Sequence, residues 1–526
     1  MSSFVLASFV DTTLTHYERP VLMVGGRPFL YRGAQLRADT MRLNLGWSDD
    51  EIGAVVKRLK ADGFTVVSIP LFWTDVEPNK DIFVWDRLDR YMEWCAVAEI
   101  KLEIAWFGSD STAYSRGTGA NMDRVPNYVV AEYELVTRPN GEVFTTPTHG
   151  RVLLDKTDPA LLERESFVVK RLMERVAERD AALGGKQTVI GIQLLNEPAV
   201  ATVRDNAHKF PAIPRSYSTS SNKRWHDGAY NDEAQFRRDV LLDYLGGLAD
   251  AVKASPYSVW TRCNLCRHSD AVPVRENEER RQRGQASLDF IGMDPYTHDL
   301  DYLLQYGSDL LWSHGRNLPM VMENWAGGDA IDFVVLTTFA GGAPSHHYSV
   351  VESESLSDTT GYPGVYGRDL RARVAVDTGD TLRHRLVNRM LHKIWIDIAT
   401  RTPEQAGGRT LAFFNPHGRL AMREMKALED ILVHFRTDQQ GAGIAVCRSP
   451  AEIILSAHGR CEFRLPATLA IADVSSGFFD GVGRWDEGGK RGFSTRDGLH
   501  VFELSSDDCL QVRLVAAANV KESRAT

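Results

Sequence analysis

Two glutamates stand at the ends of apolar runs, where a folded chain brings a carboxylate out of its core. Glu197 closes the run in "GIQLLNEPAV" (191 to 200), and Glu323 closes the run in "PMVMENW" (319 to 325). Two carboxyl groups facing each other across a small opening suit glycosidic cleavage: one, protonated, gives its proton to the departing oxygen, while the other, ionised, attacks or stabilises the anomeric carbon. At about 5.5 Å and an effective dielectric of about 20, their repulsion is about 3 kcal/mol, or about two pKa units. That lifts one glutamate from about 4.3 to near 6.5, where it can serve as an acid without a metal. A glutamate just beyond a strand is also commonplace. The second carboxylate, with Trp325 close behind it and "DPY" (294 to 296) closing another run, turns the pattern toward catalysis.

Those side chains need strands to hold them. Eight short apolar runs recur between residues 29 and 342: 29–36, 65–73, 101–108, 188–198, 257–264, 288–296, 319–325 and 332–342. Amphipathic stretches fall between them, among them "DDEIGAVVKRLKADG", "RLDRYMEWCAVAEI" and "PALLERESFVVKRLMERVAERD". Their apolar residues recur at helical spacing, and "SDDE" before the first supplies an N-cap with early acids. Strands buried on both faces alternating with helices predict an α/β fold, a (β/α)₈ TIM barrel whose site lies at the C-terminal strand ends. Only residues 326 to 331 separate runs seven and eight, too few for a full helix.

Long loops at 109–156 and 199–230 leave C-terminal strand ends and are candidates for function. The first carries "YELVTRPNGEVFT", a hairpin turning at Asn140 and Gly141; the second carries Tyr217, Trp225, His226 and Tyr230. The charged stretch 274–285 reads as a solvated helix. After the amphipathic stretch 380–401, short alternating runs divided by Gly, Asp and Ser predict a β-sandwich. The expected domains are therefore a catalytic barrel over 1–401 and an accessory β-sandwich over 402–526.

The chain has 526 residues, and its formal charge of -9 is spread without a basic block, which argues against nucleic acid as a partner. No run approaches the roughly 20 apolar residues of a membrane span. The N-terminus lacks a basic region before its apolar patch, so a cytoplasmic location is expected. Six cysteines make no disulfide framework in so long a chain. "CNLC" (263 to 266), with His268 nearby, lacks a second pair for zinc, so no metal and no cofactor is expected.

The "NEP" of the fourth run together with Glu323 on the seventh resembles the retaining glycoside hydrolases of clan A over nearly the whole barrel. Within the clan, "VGGRPFLYRGAQL", "LKADGFTVVSIPLFWTDVEPNKDIFVWDRLDRYMEWC" and "LEIAWFGS" resemble the β-galactosidases of families 35 and 42. The match to their passage after the second strand rests on Trp73, Glu77, Pro78, Phe83 and Leu88. "FAGGAPSHHYSV" is similar to the "GGTNFG" passage of family 35. The resemblance implies Glu197 as acid/base, Glu323 as nucleophile, Asn196 as donor to the sugar 2-hydroxyl and Tyr296 as the tyrosine contacting the nucleophile. A phenol donating to an ionised carboxylate also holds it in place and keeps its pKa low.

Other residues have two readings each. Trp73, Trp106 and Trp325 can form an apolar platform for a pyranose or cap the core. Gln193 can point inward beneath Asn196 or be buried among its neighbours. His346 and His347 can line the pocket after the eighth run or lie on the surface. Arg37, Asp75 and Glu77 sit on early barrel loops and are candidates to contact sugar hydroxyls. The chain departs from family 35, which shows "NEYG" where "NEPA" stands here, and from family 42, whose cysteine-rich zinc cluster is represented only by "CNLC".

The implied activity is that of a retaining exo-β-glycosidase, a β-galactosidase acting on small oligosaccharides, with a homo-oligomer allowed. The alternatives are a β-glucosidase, β-mannosidase or endo-glycanase specificity, or an inactive sugar-binding barrel. A metal-dependent hydrolase using Asp294, His298, His346 and His347 is a further alternative.

Overall fold

The computed structural model describes residues 7–43, 45–110, 124–145, 152–198, 215–266, 272–299, 316–318, 321–328, 344–352, 363–369, 371–399, 410–415, 422–428, 430–437, 441–480, 483–505 and 508–515. A small antiparallel sheet comes first: β1 (Ser8–Asp11), β2 (Val21–Val24) and β3 (Arg27–Pro28). Eight parallel strands then close into a barrel in chain order: β4 (Arg32–Gln35), β5 (Val66–Leu71), β6 (Lys101–Trp106), β7 (Val189–Leu194), β8 (Trp260–Cys266), β9 (Phe290–Asp294), β10 (Val321–Asn324) and β11 (Ser345–His347). Seven strands fall on the runs expected for them. The eighth does not: β11 closes the barrel between β10 and β4 at residues 345–347, while run 332–342 lies outside the described residues. The six-residue gap after run seven was the warning.

Helices cover the barrel because their sequences carry both a start signal and an apolar face. The Asp49–Ala61 helix opens on a capping box between Ser48 and Glu51 and buries Ile52, Val55, Val56 and Leu59. The Pro159–Ala182 helix opens on Asp158, whose side chain caps the amide of Ala160, with Pro159 at its first position. The expected charged helix is present as Val272–Gln282, with Val274 and Asn277 turned into the fold. The small sheet closes the lower end of the barrel, where Leu22 joins Tyr31, Val66, Ile190, Trp260, Phe290 and Leu318. Its strands went unrecognised in the sequence, since four-residue runs carry little periodic signal.

In the long loops, Thr137 pairs with Val143 across a turn where Gly141 takes φ 85°, the left-handed backbone that such a turn needs. The second loop contains a helix, Thr219–Asp227, whose Trp225 packs on Tyr230 and Phe236 and lies against Arg215. Beyond the barrel, two antiparallel sheets of six and five strands occupy residues 410–514. They share one core, in which Phe413 of one sheet stacks on Phe435 of the other at 5.2 Å. The expected boundary at 401/402 falls on residues outside the described set. The Gly379–Ala399 helix packs Val387, Met390, Leu391 and Ile394 against Ile444, Val446 and Ile454 of the six-stranded sheet. Among the described residues, no helix is long and apolar enough to cross a membrane.

Candidate active site

The barrel interior holds a buried ion pair from which the upper site is built. Glu103 on β6 and Arg262 on β8 are both fully buried and paired, Arg262 Nε donating to Glu103 Oε1 at 2.7 Å. Tyr31 Oη donates to the same carboxylate at 2.6 Å, and Trp260 Nε1 at 3.2 Å. Burial pushes the Glu103 carboxyl up, but the Arg262 guanidinium outweighs it and holds the group below the usual carboxylate range. His346 lies inside this cluster, its Nδ1 3.1 Å from Tyr31 Oη. Burial, reinforced by the nearby Arg262 charge, lowers its pKa to about 3.

Arg262 sets the polarity of the two amides above it, Gln193 and Asn196. Arg262 Nη1 donates to Gln193 Oε1 at 2.7 Å, and a guanidinium can only donate, so the Gln193 amide is turned with its NH₂ upward. Gln193 Nε2 then donates to Asn196 Oδ1 at 3.0 Å, and Asn264 Nδ2 donates to the same oxygen at 3.2 Å. With its oxygen engaged, Asn196 offers a ligand its NH₂. Asn264 also accepts from the Glu197 backbone amide at 3.1 Å and donates to Asp294 Oδ2 at 2.7 Å. The strand ends bearing these groups are conformationally strained: Leu195, Glu197 and Tyr296 have φ of 63°, 44° and 42°. Side chains that are not glycine rarely adopt that region, and residues that do concentrate at ligand sites.

One wall of the mouth is aromatic. Tyr296, Trp325 and Tyr348 are half-buried at the ends of β9, β10 and β11. The Tyr296 ring lies 5.0 Å from Trp325 and 6.0 Å from Tyr348. Trp325 Nε1 donates to the Tyr296 carbonyl at 2.8 Å, locking the indole to the strained corner. Beyond β4, the strand paired with β11, Arg37 forms a two-bond ion pair with Asp39, at 3.0 and 2.8 Å. Arg124 lies over the paired rings of Phe72 and Phe107. The backbone of Glu323 belongs to β10, but its side chain lies outside the described residues.

Several expected site residues are elsewhere. Trp73 is fully buried and donates from Nε1 to Glu77 Oε2 at 3.0 Å. Glu77, also fully buried, accepts as well from the Asp81 amide, Tyr128 Oη and Arg164. Trp106 turns toward the Pro159–Ala182 helix, where Nε1 donates to Glu165 Oε1 at 2.8 Å. None of the three offers a surface for a sugar, because strand alternation and helix packing direct them into the outer layer. Asp75 is spent on the Phe72 amide and an ion pair with Arg87, and burial raises its carboxyl.

His346 and His347 lie on β11 rather than after a strand, and successive strand residues face opposite ways. His346 points into the barrel; His347 points outward, 4.7 Å from His384 of the Gly379–Ala399 helix. With His346 held at Tyr31 and Asp294 at Asn264, the four groups considered for a metal are dispersed. Among the described residues no three His, Cys, Asp or Glu side chains are placed to hold a metal ion. Cys263 is a buried free thiol; the Cys266 side chain and His268 lie outside the described residues.

No family model matches the chain, and no curated protein matches it. Solved structures similar to it include a β-galactosidase from Rahnella sp. R3, at 15% identity over 70% of this chain and 57% of that one, with a TM-score of 0.48. The chain thus spans less than two thirds of that protein's length. A β-galactosidase from Halorubrum lacusprofundi matches at 13% identity, 92% and 99% coverage and TM-score 0.45. A family 39 glycoside hydrolase from Bacteroides cellulosilyticus WH2 matches at 12%, 94% and 84%, and 0.43.

Asn264, Asp294 and Tyr348 join the site without having been chosen for it as sugar-binding residues. The signal for Asn264 was present: Trp260, Arg262 and Asn264 alternate along one strand and end it in a polar group, as Glu197 ends its own run. The flanking cysteines were weighed as a zinc site and set aside, and Asn264 between them was passed over.

Proposed function

We propose that the chain is a retaining glycoside hydrolase acting on terminal sugars, with β-galactosidase specificity. Glu323 is the nucleophile and Glu197 the acid/base. In the first step Glu323 attacks the anomeric carbon while Glu197 gives its proton to the departing oxygen, leaving a covalent glycosyl-enzyme. In the second, Glu197 takes a proton from water, whose oxygen displaces Glu323 from the sugar. Tyr296, Trp325 and Tyr348 supply the apolar face for the ring. Residues 1–401 form the catalytic unit and 402–526 the accessory one.

The observation that carries this reading is the hydrogen-bond path from Arg262 through Gln193 to Asn196, with Asn264 on the Glu197 amide. It places a fixed NH₂ donor one residue from Glu197, as binding of a sugar 2-hydroxyl beside the scissile bond requires. The choice of galactose rests on the resemblance to families 35 and 42.

Glu323→Ala should abolish hydrolysis of nitrophenyl glycosides, and azide should restore turnover of activated substrates by forming a glycosyl azide. Full activity in both the Glu197 and Glu323 variants would end the reading. Across a panel of nitrophenyl sugars the β-galactoside should be fastest; a faster glucoside or mannoside, or digestion of a polymer, reassigns the specificity.

A further inference from the structure

Four backbone groups just after β10 are gripped from the outer layer. His347 Nδ1 lies 3.1 Å from the Trp325 carbonyl and His384 Nε2 lies 2.6 Å from the Ala326 carbonyl. The Gly328 amide donates to Asp380 Oδ2 at 3.2 Å, and its carbonyl accepts from Arg383 at 2.8 Å. His384, Asp380 and Arg383 all belong to the Gly379–Ala399 helix. Gly328 itself has φ 124°, and a Cβ there would stand 2.5 Å from the His298 ring. The segment therefore has no room on its other side.

Donor chemistry fixes how both imidazoles are protonated. A carbonyl only accepts, so His347 carries its proton on Nδ1 and His384 on Nε2. Arg32 Nη2, 3.0 Å from His384 Nδ1, can only donate, so that nitrogen keeps its lone pair. Arg32 is itself buried, donating to Asn388 and Ser345, and lies over the Phe64 ring. Its charge adds to burial in keeping both histidines neutral.

We propose that His347 and His384 are positioning residues: they clamp the Trp325–Gly328 segment to the helix that also packs on the β-sandwich, and so hold Glu323 and the Trp325 indole in register. The accessory sheets thereby support the site from behind. The proposal rests on the glycosidase reading only for its kinetic test.

The two donors sit on different ring nitrogens, so the conservative replacements cross. An asparagine amide overlays Nδ1 and a glutamine amide overlays Nε2. At position 347 the Asn variant should keep kcat within about threefold and the Gln variant lose about tenfold, with KM little changed. At 384 the order should reverse, Gln retaining and Asn losing. Side-chain size alone would rank the two sites alike. Amide hydrogen exchange of residues 321–328, which needs no activity, should rise in H347Q and H384N and stay low in H347N and H384Q. If a histidine variant fails to fold, Asp380→Ala at the helix start carries the same expectation of faster exchange.

The same ranking at both positions, or unchanged exchange in the losing variants and in Asp380→Ala, overturns the clamp. Wild-type protein inactive on every glycoside, with the crossed exchange pattern intact, overturns the proposed function and keeps the clamp.

Discussion

Glu77 and Glu197 both lie beyond the end of a barrel strand and precede a proline, Pro78 and Pro198: Glu197 comes shortly after β7, and Glu77 comes after β5 and the short Trp73–Val76 helix. Their surroundings differ in every other respect. Glu77 is fully buried and surrounded by donors, from Trp73, Tyr128, Arg164 and the Asp81 amide. Glu197 is half-buried, on a left-handed backbone, with its amide rather than its carboxylate held by Asn264. A carboxylate whose lone pairs are taken up by buried protein donors holds a loop; under the proposed function, the half-buried Glu197 on its strained backbone is the one that meets the substrate. The difference lies in the partners, which come from residues as far along the chain as Arg164 and Asn264.

The strongest way to break this comparison is at the sealed corner. Glu77→Gln removes the charge facing Arg164 and gives the Trp73 and Tyr128 donors a poorer acceptor. Unfolding free energy should fall by about 3–5 kcal/mol, as when one member of a buried ion pair is removed. Turnover per folded molecule should stay within a few-fold. Urea unfolding alongside kinetics checks both, and a stable variant that has lost activity would return Glu77 to the site. At the open corner the expectation inverts: Glu197→Gln should cost about a hundred- to a thousandfold in kcat, about 3–4 kcal/mol, with unfolding changed by less than about 1 kcal/mol. A large loss of stability there would make Glu197 a second Glu77.

The buried histidines give a pH test of the barrel interior and the helix behind β10. His346 and His384 titrate at about 3 in the folded chain and at about 6.5 when unfolded. Between those values only the unfolded chain takes up the proton, so stability is full above about pH 6.5 and falls as the pH drops toward 3. Each histidine contributes a slope of about 1.4 kcal/mol per pH unit in that window. Urea titrations at pH 7, 6 and 5 should show the decline, and His346→Gln should remove one share of it. A flat profile would mean that these rings are hydrated or already charged.

Much of this architecture was legible in the sequence because it is repetitive. Seven strands and their covering helices each carry their own apolar run, so their existence did not depend on knowing neighbours. The eighth strand was misplaced because Ser345–His347 is only three residues long and polar, held by pairing to β10 and β4 rather than by hydrophobic pattern. The site divides in the same way. Asn196, Glu197, Tyr296 and Trp325 were picked out as candidates because they follow recognisable strands. Trp106 ends β6, and Trp73 opens and Glu77 follows the short helix after β5, yet all three face partners such as Tyr128, Arg164 and Glu165 on distant segments whose approach no local pattern announces.

The smallest test makes one substitution at both corners. Trp73 and Trp325 each give a single indole N–H to their corner, Trp73 to the Glu77 carboxylate and Trp325 to the Tyr296 carbonyl. Changing either to phenylalanine removes that donor while keeping an aromatic ring, an effect of about 1–2 kcal/mol. In Trp73→Phe the loss should appear wholly in unfolding free energy, because Glu77 keeps three donors and stays where it is. In Trp325→Phe it should appear as about a tenfold lower kcat with KM within about twofold, because the ring still faces the sugar while Tyr296 is freed to leave its left-handed backbone. If both variants lose stability and neither loses rate, the Trp325 hydrogen bond is structural like its counterpart, and the open corner owes its geometry to Asn264 instead.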